Sequence, residues 1–259
     1  MRKVVSRDGT TIAYEKTGEG PPIVLLNGGF RDHTIFDPLV PELAPHCTTY
    51  VYDRRGRGES GDSPEYAVER EIEDLTAVIE AAGGESVVFA GSSGANLALE
   101  AAMAGAPITK LALHEPYFRI DGYPQPPADF LAALKALLAG DKRGEAVEYF
   151  LAELVGFTPD TIAEWRQTPL WAMNEANAHT LPYDAAICGD FKVPVERLAP
   201  MRIPSLVVSS DGTSDWLSAA ARATAQALPN GWGMELPGSW HRVQTDILGR
   251  VLAGFTATR

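Results

Sequence analysis

The chain has 259 residues, 34 of them acidic and 22 basic, for a net charge of −12. That length buries a core without cross-links, and 45% hydrophobic against 22% charged residues excludes a chain disordered throughout. The acidic balance argues against nucleic acid or an anionic membrane as partner, and two cysteines, Cys47 and Cys188, supply neither a disulfide framework nor a Cys-rich metal site.

The N-terminus is charged, but Asp8 interrupts it before any apolar run of signal-peptide length. No stretch approaches about 18 uninterrupted apolar residues, so a soluble, cytoplasmic chain is expected. Lys3–Ser6 and Thr11–Thr17 flank Asp8-Gly9, the signature of a hairpin turn. Short runs follow at Ile23–Leu26, Thr48–Tyr52, Ser86–Ala90 and Leu111–His114, each apolar or β-branched and each ended by turn residues or a charge. Strands covered on both faces read this way, which predicts a parallel sheet. Between them, Val68, Ile72, Leu75 and Ile79 fall at helical spacing, and Gly94–Gly105 is apolar nearly all round. The rhythm breaks after Tyr117. Helical patterns at Phe130–Leu138, Gly144–Leu154 and Thr161–Asn177 carry no convincing strand between them. Strand and helix then alternate again from Ser205 to Phe255. The expected organisation is an α/β core of residues 1–123 and 200–259, interrupted by a helical insertion at 124–199.

Ser86-Val-Val-Phe-Ala-Gly91-Ser92-Ser93-Gly94-Ala95 runs from a buried strand through small residues straight into a helix. A nucleophile presented on such an elbow takes strained backbone angles and needs small residues two before and two after it. Centred on Ser93, these are Gly91 and Ala95, and Ser93 is the expected nucleophile; Ser92 competes by composition. No phosphate loop or dinucleotide fingerprint is present, and Asp53-Arg54-Arg55-Gly56 reads as a buried Asp and Arg pinning a loop.

With these motifs the chain resembles the α/β-hydrolase fold family over nearly its whole length. Asn27-Gly28-Gly29 stands after the third strand, where the family usually has His-Gly. Tyr52-Asp53-Arg54-Arg55-Gly56-Arg57-Gly58-Glu59-Ser60 is similar to the family's turn after the fourth strand, and Gly238-Ser239-Trp240-His241 to its Gly-x-x-His near the end. The resemblance implies an eight-stranded, mostly parallel sheet with a helical cap inserted after the sixth strand. It also implies His241 as base, with His33 the runner-up and a pocket residue. The oxyanion would be held by the N–H of Gly94, after the nucleophile, and of Gly29, with Phe30 as alternative.

The acid departs from the family pattern. The usual position, after the seventh strand, falls at about Thr213, flanked by Asp211 and Asp215. A second location, the end of the sixth strand, holds Glu115. Glu115 is the first choice, and Asp211 and Asp215 are the alternatives. The insertion is rich in aromatics, with Trp171 expected in the pocket. Together these readings predict a cofactor-free, metal-free serine hydrolase cleaving an ester or lactone of a mid-sized, largely apolar small molecule, with a homodimer allowed. Two other readings stay open: C–C bond hydrolysis or cyclisation on the same fold, and a small-molecule receptor without turnover.

Overall fold

The computed structural model describes residues 1–258. Eight strands form one sheet: β1 (Arg2–Val5), β2 (Thr11–Thr17), β3 (Pro22–Leu26), β4 (Thr48–Tyr52), β5 (Ser86–Gly91), β6 (Ile108–His114), β7 (Ser205–Ser210) and β8 (Gly231–Leu236). Their order is β1-β2-β4-β3-β5-β6-β7-β8, antiparallel at β1/β2 and β2/β4 and parallel from β4 to β8. This is an α/β-hydrolase fold.

The uninterrupted apolar runs have a direct cause. Alternate residues point to opposite faces, and both faces are covered. Val24, Leu26, Val88, Ala90, Leu111 and Leu113 pack in one buried cluster with residues of α2 (Val68–Ala81), α3 (Ser93–Met103) and α10 (Asp215–Ala227). Ile23, Leu25, Phe89, Ala112, Leu206 and Val208 pack in another with α1 (Val40–Leu43) and α11 (Thr245–Ala257). Among the described residues, no helix is long and apolar enough to cross a membrane.

Between β6 and β7 the described chain is helical: α4 (Phe130–Ala139), α5 (Arg143–Tyr149), α6 (Pro159–Arg166), α7 (Leu170–Ala176), α8 (Leu181–Cys188) and α9 (Val195–Leu198). The helical pattern expected across Thr161–Asn177 is two helices. Pro169 lacks the N–H that would continue α6, and α7 starts anew after it. α5 runs on into a wider π-helical turn, Phe150–Val155, ended by Gly156 at φ 85°. This insert has its own apolar cluster, built on Phe130, Leu134, Val147, Phe150 and Leu181, which also takes in Phe30, Tyr117 and Leu217 of the core.

Candidate active site

The sharp corner at the end of β5 falls on Ser92, with φ 56° and ψ −134°. The expectation that Ser93 takes the strained angles is corrected here: Ser93 is the first residue of α3, and its side chain is buried. Gly94 shows why the elbow sits one residue earlier. A Cβ on Gly94 would overlap the carbonyl oxygen of Asn27, so the position two after Ser92 must be glycine. The position two before is Ala90. Gly28 packs just as tightly, since a Cβ there would lie 2.7 Å from Cβ of Ser92. The Ala90/Gly94 pair was legible in the sequence beside the Gly91/Ala95 pair, and only the backbone distinguishes the two registers.

β5 and β6 run parallel with Gly91 opposite His114, so Ser92 and Glu115 leave the sheet side by side. Ser92 N–H donates to the His114 carbonyl at 2.9 Å, and Glu115 N–H to that of Val208 at 2.9 Å. The Glu115 carboxylate is fully buried. One oxygen accepts the Ser210 N–H at 2.9 Å, and the other accepts from Nδ1 of His241 at 2.5 Å. Burial would raise the Glu115 pKa, but the flanking His114 and His241 outweigh it and hold the carboxyl well below the usual range. His114 stacks on His241 with ring centroids 5.3 Å apart, and burial lowers its own pKa against the opposing pull of Glu115. His241 sits at the tip of a small hairpin, Gly238–Ser239 against Arg242–Val243, with φ 53°. Of the two other candidate acids, Asp211 accepts the Gly238 N–H at 2.9 Å, and Asp215 begins α10 without a side-chain partner among the described residues.

Six non-glycine residues have positive φ among those described. Four of them, Phe30, Ser92, Glu115 and His241, belong to this one locality. Strained backbone persists only where its surroundings over-determine it, and it clusters at functional sites.

Ser93 has a different partner. Its hydroxyl donates to Oδ1 of Asp184 at 2.7 Å. Asp184 lies on α8, in the insert, and also accepts from Arg54 and Arg57, each at 2.7 Å. Arg54 pairs further with Glu71 through two bonds of 2.7 Å, and Arg57 donates to the Gly28 carbonyl at 2.7 Å. Burial opposes ionisation of Asp184, but the two guanidinium groups outweigh it and keep its pKa low. The one signal for this network was that Asp184 is the only charged residue of α8; its partner Ser93 lies 91 residues away in the chain. The arginines of the loop after β4 are thus paired with carboxylates, and Asp53 pins that loop by accepting from the Glu59 N–H at 2.9 Å.

Ser92, Ser93, His114 and His241 line one cavity of about 720 Å³ with Gly28, Gly29 and Phe30. The insert contributes Phe150, Leu151, Leu154, Phe157, Trp165 and Cys188 to its wall. Two pocket expectations are corrected. His33 turns away, held by Asp53 through its N–H at 2.7 Å and its ring Nδ1 at 2.9 Å. Trp171 does not line the cavity but packs half-buried against the insert's apolar cluster under Arg166, with Cζ 5.2 Å from the ring centroid; Trp165 and Trp240 line the cavity instead. With the corner on Ser92, the first free helical amide is that of Ser93 and not Gly94. Among the described residues the N–H groups of Gly29, Phe30 and Ser93 donate no hydrogen bond.

A 50-residue stretch, 19% of the chain, is 42% identical to the pimeloyl-[acyl-carrier protein] methyl ester esterase of Xylella fastidiosa (strain M12), covering 20% of that protein. An α/β hydrolase of solved structure from Sphaerobacter thermophilus DSM 20745 is 48% identical, covering 98% of this chain and 99% of that one, with a TM-score of 0.94. An esterase from Rhodococcus sp. ECU1013 shares the fold at 22% identity and a TM-score of 0.73, covering 99% of this chain and 98% of its own. The model of the alpha/beta hydrolase family matches residues 23–248. That match spans both arms of the core and the whole helical insert, so the chain belongs to the alpha/beta hydrolase family.

Proposed function

We propose that the protein is a cofactor-free serine hydrolase of carboxylic esters or lactones, with Ser92 as nucleophile, His241 as base and Glu115 as the acid that orients it. The observation that carries this reading is the strained corner at Ser92, in one cavity with a histidine already hydrogen-bonded to a buried carboxylate. A serine hydroxyl is a weak nucleophile until a base takes its proton. With Glu115 accepting from Nδ1, the other ring nitrogen of His241, Nε2, is the one left to accept that proton. Ser92 Oγ attacks the carbonyl carbon, and the developing oxyanion takes hydrogen bonds from the Ser93 and Gly29 amides. The protonated His241, stabilised by Glu115, donates to the leaving alcohol oxygen, and an acyl-enzyme remains. Water repeats the sequence, releasing the acid and restoring Ser92.

The insert acts as a cap, and its apolar wall suits a mid-sized substrate with a substantial hydrocarbon part. A cytoplasmic setting agrees with two buried, unpaired cysteines. The test is a fluorophosphonate probe followed by peptide mass mapping, with ester and lactone turnover measured in parallel. Label on Ser92 together with turnover is expected. Label on Ser93, or turnover that survives Ser92→Ala, overturns the assignment.

A further inference from the structure

The cavity is lined by three permanently charged residues: Asp184, Arg31 and Arg242. Asp184 is committed to Arg54 and Arg57. The two arginines are not matched: among the described residues neither has a carboxylate at ion-pair distance, in a chain with 34 acidic residues to draw on. Asp32, next to Arg31 in sequence, turns its Oδ1 to the N–H and hydroxyl of Thr34.

Arg31 is nevertheless held in place. Its Nη1 donates to Oδ1 of the buried Asn174 at 3.3 Å and lies 3.9 Å from Sδ of Met173. Its Cζ stands 5.9 Å from the ring centroid of Trp165, itself part of the cavity wall. Arg242 follows His241 directly, on the hairpin that carries the base. Burial, reinforced by the positive charge of Arg242 and only partly opposed by Asp32, lowers the Arg31 pKa from its ordinary value. A half-buried and an exposed guanidinium that face the same apolar-walled cavity with no carboxylate at ion-pair distance are placed to gain charge-assisted hydrogen bonds from a bound anion.

We propose that Arg31 and Arg242 form an anion subsite, and that the preferred substrate is an ester or lactone carrying a free carboxylate on its apolar chain. The proposal rests on the hydrolase reading for its chemistry, but not for the binding of the anion. The apolar wall of Phe150, Leu151, Leu154 and Phe157 holds the hydrocarbon, the guanidinium groups hold the carboxylate, and the ester is left for Ser92. Such a site selects half-esters of dicarboxylic acids over their neutral diesters.

The test compares monomethyl adipate with dimethyl adipate. The wild type is expected to show a higher kcat/KM on the half-ester, by about tenfold, mostly through KM. Arg31→Gln and Arg242→Gln should each collapse that ratio, and Arg31→Lys should restore part of it. Arg242 is exposed, so its variant reports even where a change at Arg31 disturbs folding. A second arm measures binding of both esters to Ser92→Ala through the fluorescence of Trp165 and Trp240. Preferential half-ester binding that is lost in Arg242→Gln supports the subsite even where no ester turns over, an outcome in which only the hydrolase reading falls. Equal binding of the two esters, or a preference unmoved by both substitutions, overturns the subsite.

Discussion

Two buried carboxylates meet the Ser92–Ser93 elbow from different parts of the molecule. Glu115 comes from the end of a central strand of the core, and its hydrogen-bond partner is a histidine whose side chain is 22% exposed. Asp184 comes from the insert and is clamped by two guanidinium groups and a hydroxyl. A carboxylate matched by two permanent charges has nothing to respond to when charge moves during a reaction. One matched by an imidazole faces a group that gains and loses a proton, and its negative charge stabilises one of those states more than the other. Hydrogen bonds of 2.5 and 2.9 Å at Glu115 and of 2.7 Å at Asp184 make the two look alike; the chemistry of the partner separates them.

Exchanging the two serines breaks the comparison hardest. Ser92→Ala is expected to lower kcat by roughly 10⁴-fold or more, whereas Ser93→Ala should stay within about tenfold and cost about 1 kcal/mol of stability. Initial rates on one ester and a urea titration check both. Next comes the acid. Glu115→Gln keeps the shape but supports the wrong tautomer of His241, and kcat should fall about 10³- to 10⁴-fold with little loss of melting temperature. Asp211→Asn and Asp215→Asn should change the rate less than tenfold in the same assay.

Asp184→Asn should show the opposite profile. It leaves Arg54 and Arg57 short of a charge, and breaking a buried pair costs about 3–5 kcal/mol, so unfolding midpoints drop while the surviving folded enzyme loses less rate than Glu115→Gln. A rate loss at Asp184 equal to that at Glu115, with stability intact, would erase the distinction. The smallest effect is in pH. Both carboxyls are depressed, so the stability they contribute is present above the ordinary carboxylate range and is lost as pH falls through their lower folded values. Thermal melts from neutral pH down to about pH 2 should therefore fall on the acid side, less steeply in Asp184→Asn.

The same contrast governs what the sequence made legible. Strands buried on both faces betray themselves as apolar runs, and Glu115 and His241 follow from their places at a strand end and before the last helix. Ser93 was preferred to Ser92 on the Gly91/Ala95 pair, although Ala90 and Gly94 make the other register just as plausible sterically, and the contact of Gly94 with the Asn27 carbonyl decides for Ser92. Asp184 and Arg31 were out of reach for another reason. Their roles depend on partners across the insert boundary, Ser93 with Arg57 for one and Asn174 for the other, and tertiary pairing of that kind leaves no local pattern. Trp171 was misjudged against Trp165 because both sit on neighbouring short helices, and the break at Pro169 changes which one turns inward.

The anchoring of α8 has a consequence for remodelling the enzyme. A designer who treats residues 124–199 as one exchangeable module would remove Asp184, leaving Arg57 buried without a carboxylate and Arg54 with Glu71 alone. Keeping α8 and its Asp184 in any exchange preserves that counter-charge, and the helices brought in must still pack on Leu181 and Ala185 of α8 in the apolar cluster that α4 and α5 share with it.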